Sequence, residues 1–277
     1  MATSSPSSAS TGETSQRSDA PLNGSGLTVL HRQSHGAMKL ARPVRDFGFA
    51  RESVTAAISS AELPAACAEF PCVMARQAGG QWALLAITGL ESGHNLCVGP
   101  DGEWLGEHLP ATLATWPFRL VRDNAEQGRF LVAVHTPALN GTQGDALFDA
   151  EGNESAWLRE HLQFLVGTDA ALVETSQQIE ALHAAGLLHE RTLQAVLSNG
   201  REVELNGFMA VDESRLAGLS AEVLHSLHAQ GALALAYLHL LSLRRFRALV
   251  ARAGRASSPA AVPAPTADAA PAHPLAA

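Results

Sequence analysis

The sequence of 277 residues has few cysteines and no motif built from them. Three cysteines form an odd and sparse set, which argues against the disulfide framework of a small secreted domain. Cys67, Cys72 and Cys97 make no Cys-x-x-Cys pair, so the sequence predicts neither a zinc ribbon nor a thioredoxin-like redox site. We expect all three thiols to be buried as small apolar groups.

Positive charge is also scarce, since 19 Lys and Arg against 27 Asp and Glu leave a net charge of −8. A protein that binds duplex nucleic acid usually carries clustered basic residues and a basic isoelectric point, so no nucleic-acid partner is predicted. One basic cluster ends the last helical segment, where cations complement the helix dipole; a weak site for an anion or a lipid headgroup is the alternative. Its members are Arg244, Arg245, Arg247, Arg252 and Arg255.

Long apolar runs are absent as well. The most apolar stretch, from Ala232 to Leu243, is shorter than the roughly 20 residues that a membrane-spanning helix needs. The N-terminus has no basic segment followed by an apolar one, so no secretory signal of the Sec type is predicted. The sequence therefore predicts a soluble, cytoplasmic protein without a transmembrane segment.

The two ends of the chain differ in composition from its middle. Residues 1–25 are rich in Ser, Thr, Ala and Gly, and residues 254–277 are rich in Ala and Pro. Neither end has enough apolar surface to offset its conformational entropy, so both are predicted to be disordered tails. The middle, residues 31–252, is predicted to form one α+β domain.

Local patterns predict a β-rich N-terminal half that contains hairpins, with a helical C-terminal half packed on it. Pro100-Asp101-Gly102 has the composition of a tight turn between two short strands. Other predicted strands cover residues 71–76, 81–89, 118–121, 130–135 and 201–212, the last with a bulge at Asn206-Gly207. Predicted helices cover residues 56–70, 155–166, 169–185, 214–230 and 232–252, and one helical turn fits between Pro110 and Pro117.

No motif for catalysis or for a cofactor is present. Gly24-Ser25-Gly26 lacks the third glycine and the preceding strand of a dinucleotide fingerprint, and there is no phosphate-binding loop or nucleophile elbow. Glu222, His225 and His228 share one face of a predicted helix, but two ligands at this spacing need a third from another element. We interpret that face as solvated, and predict no catalytic residue, no cofactor and no bound metal.

A few polar and aromatic residues are candidates for binding a ligand or a partner. Aromatic side chains beside polar turn residues can line a groove for a peptide or a sugar, or they can close a core. His239 lies within an apolar run, where a buried polar group must be hydrogen-bonded; a ligand or switch role is the alternative. The candidates are His94, Asn95, Asp101, Trp104, Trp116, Phe118 and His239.

Several sequence blocks, in a fixed order, resemble a known family. They are Glu62–Val73, the hairpin Gly93–Trp104, Leu109–Phe118, Leu147–Gly152, Gly186–Leu188, Leu205–Val211 and His239–Leu243. Together they are similar to the bacterial SapC-like family, which is distinct from the membrane permease of the same name. This sequence departs from the pattern at Cys97 and Leu109, where similar proteins more often carry aromatic residues.

The resemblance implies an accessory role more than a defined reaction. The family's name is linked to surface-layer and antimicrobial-peptide-sensitivity loci, and its genes often neighbour those of cupin-like hydroxylases, flavin-dependent halogenases and outer-membrane receptors. The leading hypothesis is therefore a non-catalytic protein that binds a peptide, a glycan or a partner enzyme. The alternative is an enzyme of undefined chemistry that acts with a hydroxylase or halogenase partner; the oligomeric state stays open.

Overall fold

The computed structural model describes residues 26–40, 46–77, 79–122 and 130–256. The predicted tail 1–25 lies outside these residues, and so does the predicted C-terminal tail from residue 257 onward. Residues 254–256 complete the last helix, in which Ala253 and Gly254 are buried.

The described chain has ten strands and eight α-helices. The strands are β1 (Leu27–Val29), β2 (Lys39–Leu40), β3 (Thr55–Ile58), β4 (Cys72–Arg76), β5 (Trp82–Ile87), β6 (Phe118–Arg122), β7 (Phe130–His135), β8 (Asp145–Ala146), β9 (Leu188–Val196) and β10 (Glu202–Val211). The helices are α1 (Arg32–His35), α2 (Leu63–Ala66), α3 (Ala111–Ala114), α4 (Ala156–Ala184), α5 (Glu213–Ala217), α6 (Ala221–Ala229), α7 (Ala232–Ser242) and α8 (Phe246–Ala256). This order confirms the predicted α+β class, with a β-rich N-terminal half and a largely helical C-terminal half.

The chain forms two compact units. The first lies within residues 1–44 and 114–170, and the second within residues 45–113 and 171–277. The expected single domain over residues 31–252 stays a prediction, because this division does not test whether the units fold together.

The first unit contains a three-stranded antiparallel sheet in the order β1-β7-β6. Phe118 of β6 lies opposite Val134 of β7, and both side chains are buried. They pack in one apolar cluster with Leu147, Leu158 and Leu165. This unit is therefore built around the predicted strands β6 and β7.

The second unit contains a five-stranded antiparallel sheet in the order β3-β5-β4-β10-β9. Successive side chains of a strand point to opposite faces, and here both faces are covered. Cys72 and Met74 of β4 pack in a cluster with Leu235 of α7, whereas Val73 packs in a second cluster with Phe246 of α8. Coverage of both faces explains why β4 is apolar from Cys72 to Ala75 instead of alternating.

The hairpin of β9 and β10 was predicted only in part. The bulge at Asn206-Gly207 is confirmed, because the register shifts between Leu205 and Phe208 and Gly207 has a φ of +74°. Strand β9 was missed. It lies at the edge of the sheet and exposes Glu190, Arg191 and Thr192, so its sequence has neither the alternation nor the apolar content of an interior strand.

Several helix predictions were wrong. Residues 56–70 hold strand β3 and only one turn of helix, α2. Helix α4 is continuous where two helices were predicted, and the Thr168 hydroxyl donates to Phe164 O within it. The predicted helix 214–230 divides into α5 and α6 because Ser220 caps α6 by accepting from Val223 N. The predicted helix 232–252 is interrupted by a 3-10 turn, Leu243–Arg245.

Helix α7, which contains the most apolar stretch, has only 11 residues. Within the ranges that the structure describes, no helix combines the length and apolar character needed to cross a lipid bilayer.

Candidate functional site

The predicted hairpin around Pro100-Asp101-Gly102 is a tight turn with a single bridge between Val98 and Trp104. The amide of Gly99 donates to Glu103 O at 2.9 Å, and the amide of Gly102 donates to Gly99 O at 3.0 Å. Gly102 has a φ of +84°, and a Cβ there would collide with Oδ1 of Asp46. The turn is confirmed, but the two flanking strands were wrong.

Asn95 fixes the chain that leads into this turn. Its side chain is buried, its Nδ2 donates to Ala50 O at 3.0 Å, and its Oδ1 accepts from Cys97 N at 2.9 Å. His94 and Asp101, in contrast, are exposed. Asn95 therefore uses its polar atoms within the fold, whereas His94 and Asp101 face solvent.

Trp104 is half-buried and closes a small apolar cluster beside the turn. Its ring centroid lies 6.0 Å from that of Phe47, in an edge-to-face arrangement. Its indole N–H donates to His108 O at 3.0 Å. The indole thus joins the turn to the segment that leads to α3.

The segment that leads to α3 is also fixed by two carboxylates, Glu62 and Glu69. The sequence analysis did not identify either of them. Glu62 accepts from Ser59 N at 2.9 Å and from Ala111 N at 2.7 Å. Glu69 accepts from Glu107 N at 3.0 Å and from His108 N at 2.9 Å. The spacing of Ser59 and Glu62 is that of a capping box, a signal that the sequence contains and from which Glu62 could have been found.

His239 is fully buried, and both of its ring nitrogens are hydrogen-bonded to the backbone. Nε2 accepts from Val211 N at 3.2 Å, so the proton of the neutral ring is on Nδ1, which donates to Cys72 O at 2.8 Å. Burial lowers the pKa of His239 from 6.5 to about 4, although its bond to Cys72 O opposes the shift. His239 therefore links α7 to β4 and β10 as a neutral imidazole.

The neighbouring cysteine is similarly enclosed. Burial raises the pKa of the Cys72 thiol to about 12, and the hydrogen bond from Ser242 only partly opposes this. The Cys72 amide donates to Ser242 Oγ at 3.0 Å. Burial also raises the pKa of Cys97 to about 11, so both thiols stay protonated at neutral pH.

Trp116 and Phe118 lie in the first unit. The Trp116 ring lies 4.6 Å from that of His135, centroid to centroid. Phe118 is 1% exposed, and its ring lies 5.2 Å from that of His161. Phe118 is a core residue of its unit, whereas Trp116 is half-buried.

The seven predicted site residues therefore do not form one cluster within either unit. His94, Asn95, Asp101, Trp104 and His239 belong to the second unit, and the other two belong to the first. Within the second unit, the segment Phe47–Ala50 contacts both Asn95 and the turn, since Phe47 N donates to Gly102 O at 2.6 Å. The hydrogen bonds of the His239 ring are to Cys72 and Val211, away from these residues.

The possible metal ligands on α6 are exposed. Glu222, His225 and His228 all lie on the solvent side of that helix. In the part of the chain that the structure describes, no three His, Cys, Asp or Glu side chains are arranged to hold a metal ion. The expected lack of a bound metal stays a prediction.

A cleft of about 580 Å3 opens beside the start of β9. We call it the arginine cleft, and it is lined by side chains from β9, from the end of β10, from the start of α5 and from the region where α7 ends. The lining includes His189, Arg191, Asp212, Leu241 and Arg244. The cleft brings Arg244 of the predicted basic cluster next to two basic residues of the strand that sequence reasoning missed.

Comparison with known families shows which family the chain belongs to. A family model described as SapC matches residues 30–249. The chain belongs to the SapC family. No curated protein and no solved structure matches it.

The SapC match spans both compact units, including β9 and the arginine cleft. Of the described residues, only those of β10 pair with β9 in this SapC protein. Asp212 N donates to Leu187 O at one end of the pair, and Leu197 N donates to Arg201 O at the other. Because hydrogen bonding alternates along an antiparallel pair, the even-numbered residues 190, 192 and 194 direct their backbone N–H and C=O away from β10.

Proposed function

We propose that this SapC family member is a non-catalytic binding protein that captures an extended peptide segment along the free edge of β9. The observation that carries the proposal is the nine-residue edge strand, whose outward backbone groups lack a strand partner among the described residues. An extended peptide completes such a ladder with its own N–H and C=O groups. A glycan lacks this regular alternation of donors and acceptors, so the edge favours a peptide.

The side chains of β9 support selective pairing. Glu190 and Arg191 are exposed at the edge, and charged edge residues oppose indiscriminate pairing with other strands. Val196 is 63% exposed at the far end of the strand. A peptide that pairs here therefore needs charges complementary to Glu190 and Arg191, and an apolar residue near Val196.

The buried polar groups support a binding role over a catalytic one. His239 uses both ring nitrogens in backbone hydrogen bonds, and burial raises the pKa values of Cys72 and Cys97 to about 12 and about 11. A general base or a thiolate nucleophile needs the opposite, a free nitrogen or a lowered thiol pKa. These groups stabilise the fold instead.

The proposal keeps the cytoplasmic location and the peptide or surface-polymer role that the sequence suggested. All three cysteines are free and buried, as is usual for proteins of a reducing compartment. In this setting the captured segment belongs to a peptide or to an extended stretch of a partner enzyme.

The test is a random peptide library displayed on phage with free carboxyl termini, selected against the full chain. Peptides that bind should protect the amides of residues 190, 192 and 194 from hydrogen exchange. The variant Thr192→Pro removes one outward N–H without removing a hydrogen bond to β10, and it should abolish capture. Thr192→Ala, which keeps that N–H, is the matched control and should bind normally.

Two results would contradict the proposal. One is a library that yields no binder, or binders that protect residues outside β9. The other is equal binding by Thr192→Pro and Thr192→Ala. Mass spectrometry of the recovered peptide should show an unchanged mass, whereas a changed mass would favour the enzyme alternative.

A further inference from the structure

The arginine cleft lies beside the edge strand, and the two arginines that line it are not paired with its two acidic residues, Asp212 and Glu213. Arg191 of β9 and Arg244 of the 3-10 turn line it, and both side chains are exposed. Neither guanidinium has a hydrogen bond or an ion pair with any residue that the structure describes. Two free guanidinium groups at one cleft favour an anion, because Arg donates two parallel hydrogen bonds to a carboxylate or a phosphate.

One of the two acidic residues of the cleft is already engaged. Asp212 caps α5, since its Oδ1 accepts from Ser214 N at 3.0 Å and from Arg215 N at 3.2 Å. Its Oδ2 lies 3.4 Å from Nε of Arg215. The other acid of the cleft, Glu213, is exposed at the start of α5. The positive charge of Arg191 and Arg244 is therefore not neutralised by Asp212.

His189 adds a buried polar atom that lacks a partner. Its Nδ1 is buried and has no hydrogen bond with any described residue, and the residue lines the cleft together with Arg191. Buried polar atoms are nearly always hydrogen-bonded in folded proteins. His189 therefore brings an unsatisfied polar group into the wall of the cleft.

The remaining wall of the cleft is apolar. Leu240, Leu241 and Leu243 line it, and Leu241 is 52% exposed. An exposed leucine beside two arginines suits a ligand that carries an apolar side chain next to its anionic group. A phosphate ion alone would leave this apolar wall unused.

We infer that the arginine cleft binds a carboxylate of the peptide that pairs with β9, with Arg191 and Arg244 as the carboxylate ligands and Leu241 against the adjoining apolar side chain. The inference rests on the proposed function, because His189 and Arg191 belong to the strand along which that peptide lies. The carboxylate comes either from the C-terminus of the peptide or from an Asp or Glu side chain.

The first experiment uses small probes, so it does not depend on a selected peptide. The full chain, labelled with 15N, is titrated with N-acetyl-leucine, with N-acetyl-leucinamide and with inorganic phosphate. N-acetyl-leucine should shift the amide signals of His189, Arg191 and Arg244 saturably, and the amide should bind at least about tenfold more weakly because it lacks the charge. Equal binding of the amide, or equal binding of phosphate, would overturn the carboxylate assignment.

Variants identify the ligands. The double variant Arg191→Gln and Arg244→Gln should lose N-acetyl-leucine binding. The double variant Arg247→Gln and Arg255→Gln changes the net charge equally but alters exposed residues of α8 outside the cleft, and it should bind as the wild type does. Equal loss in both double variants would show a general charge effect and refute the site.

Peptides selected from the library test capture by β9 separately from carboxylate binding in the arginine cleft. They also show whether the carboxylate is that of the C-terminus or that of a side chain. Amidation of the C-terminus should weaken binding at least about tenfold if the terminal carboxylate is the ligand, whereas replacement of Asp or Glu should do so if a side chain is. If Thr192→Pro abolishes capture but the Arg191/Arg244 double variant binds both peptide and probe normally, the edge proposal stands and the cleft inference fails. If the probe binds but no peptide does, the carboxylate site stands and the peptide-capture function fails.

Discussion

Replacement of His239 by Gln should change both the stability of the protein and its dependence on pH. The imidazole is fully buried and neutral, with one nitrogen accepting from Val211 N and the other donating to Cys72 O. In His239→Gln the amide oxygen is able to accept from Val211 N. Cys72 O then loses its ring donor and keeps only the Ser242 hydroxyl, at 3.3 Å.

The magnitude follows from the pKa and from the lost hydrogen bond. The pKa of His239 is lowered from 6.5 to about 4, chiefly by burial. The unfolded chain binds the proton more tightly than the folded one. The contribution of neutral His239 to the free energy of unfolding is therefore fully present above pH 6.5 and is lost as the pH falls through 4. At 1.36 kcal/mol for each pKa unit, the loss amounts to about 3 kcal/mol. The poorer hydrogen bonding of the variant should cost about 1–3 kcal/mol at pH 7.

The assay is urea unfolding of the wild type and of His239→Gln, followed by circular dichroism at pH 7, 6, 5 and 4. We expect the wild type to be more stable at pH 7. The difference between the two proteins should shrink, and then reverse, as the pH falls. All other titratable groups are common to the two proteins, so the difference between their pH profiles isolates His239. Parallel pH profiles would refute the reasoning, because they would mean that the pKa of His239 is the same in the folded and the unfolded state.

Two further predictions concern the indole rings and the tails. Trp104→Ala should lower the free energy of unfolding by about 2–4 kcal/mol, because it removes the ring's contact with Phe47 and the hydrogen bond from its N–H to His108 O. This is slightly less than the 3–5 kcal/mol for a fully buried aromatic residue, since the ring is half-buried. A variant of normal stability that fails to capture a peptide would instead assign Trp104 to a binding surface. Trp116→Ala is measured in the same way, with the same two outcomes. Limited proteolysis should trim the chain to roughly residues 26–256, because β1 pairs with β7 and α8 continues to Ala256; a stable fragment that keeps the first 25 residues would contradict the predicted N-terminal tail.

Local chemistry made some elements predictable. Strands β6 and β7 follow from short runs of apolar residues, and the bulge at Asn206-Gly207 follows from the glycine within a strand pattern. The predicted helix end at residue 185 is followed by Gly186, which has a φ of +70°, and glycine commonly ends helices in this way. In each of these cases the deciding interaction lies within a few residues of the feature, so the sequence contains it.

Other elements depended on contacts far along the chain. Gly167-Thr168-Asp169 reads as a helix break, yet α4 continues through it. Contacts with distant residues stabilise this helix, since the Thr175 hydroxyl accepts from Ser60 N at 2.7 Å. Strand β9 has too few apolar residues to be predicted by itself. Its extended form is stabilised by pairing with β10 along its whole length.

The candidate sites show the same difference between features set by neighbouring residues and features set by distant contacts. Residue patterns alone were enough to indicate the SapC family, the α+β class, the tight turn at Gly102 and the interest of His239. The packed fold was needed to show that His239 is enclosed between the backbones of β4 and β10, and that Arg244 and Arg191 line one cleft. Burial and the meeting of distant side chains depend on how strands and helices pack, whereas turns, bulges and caps depend on neighbouring residues.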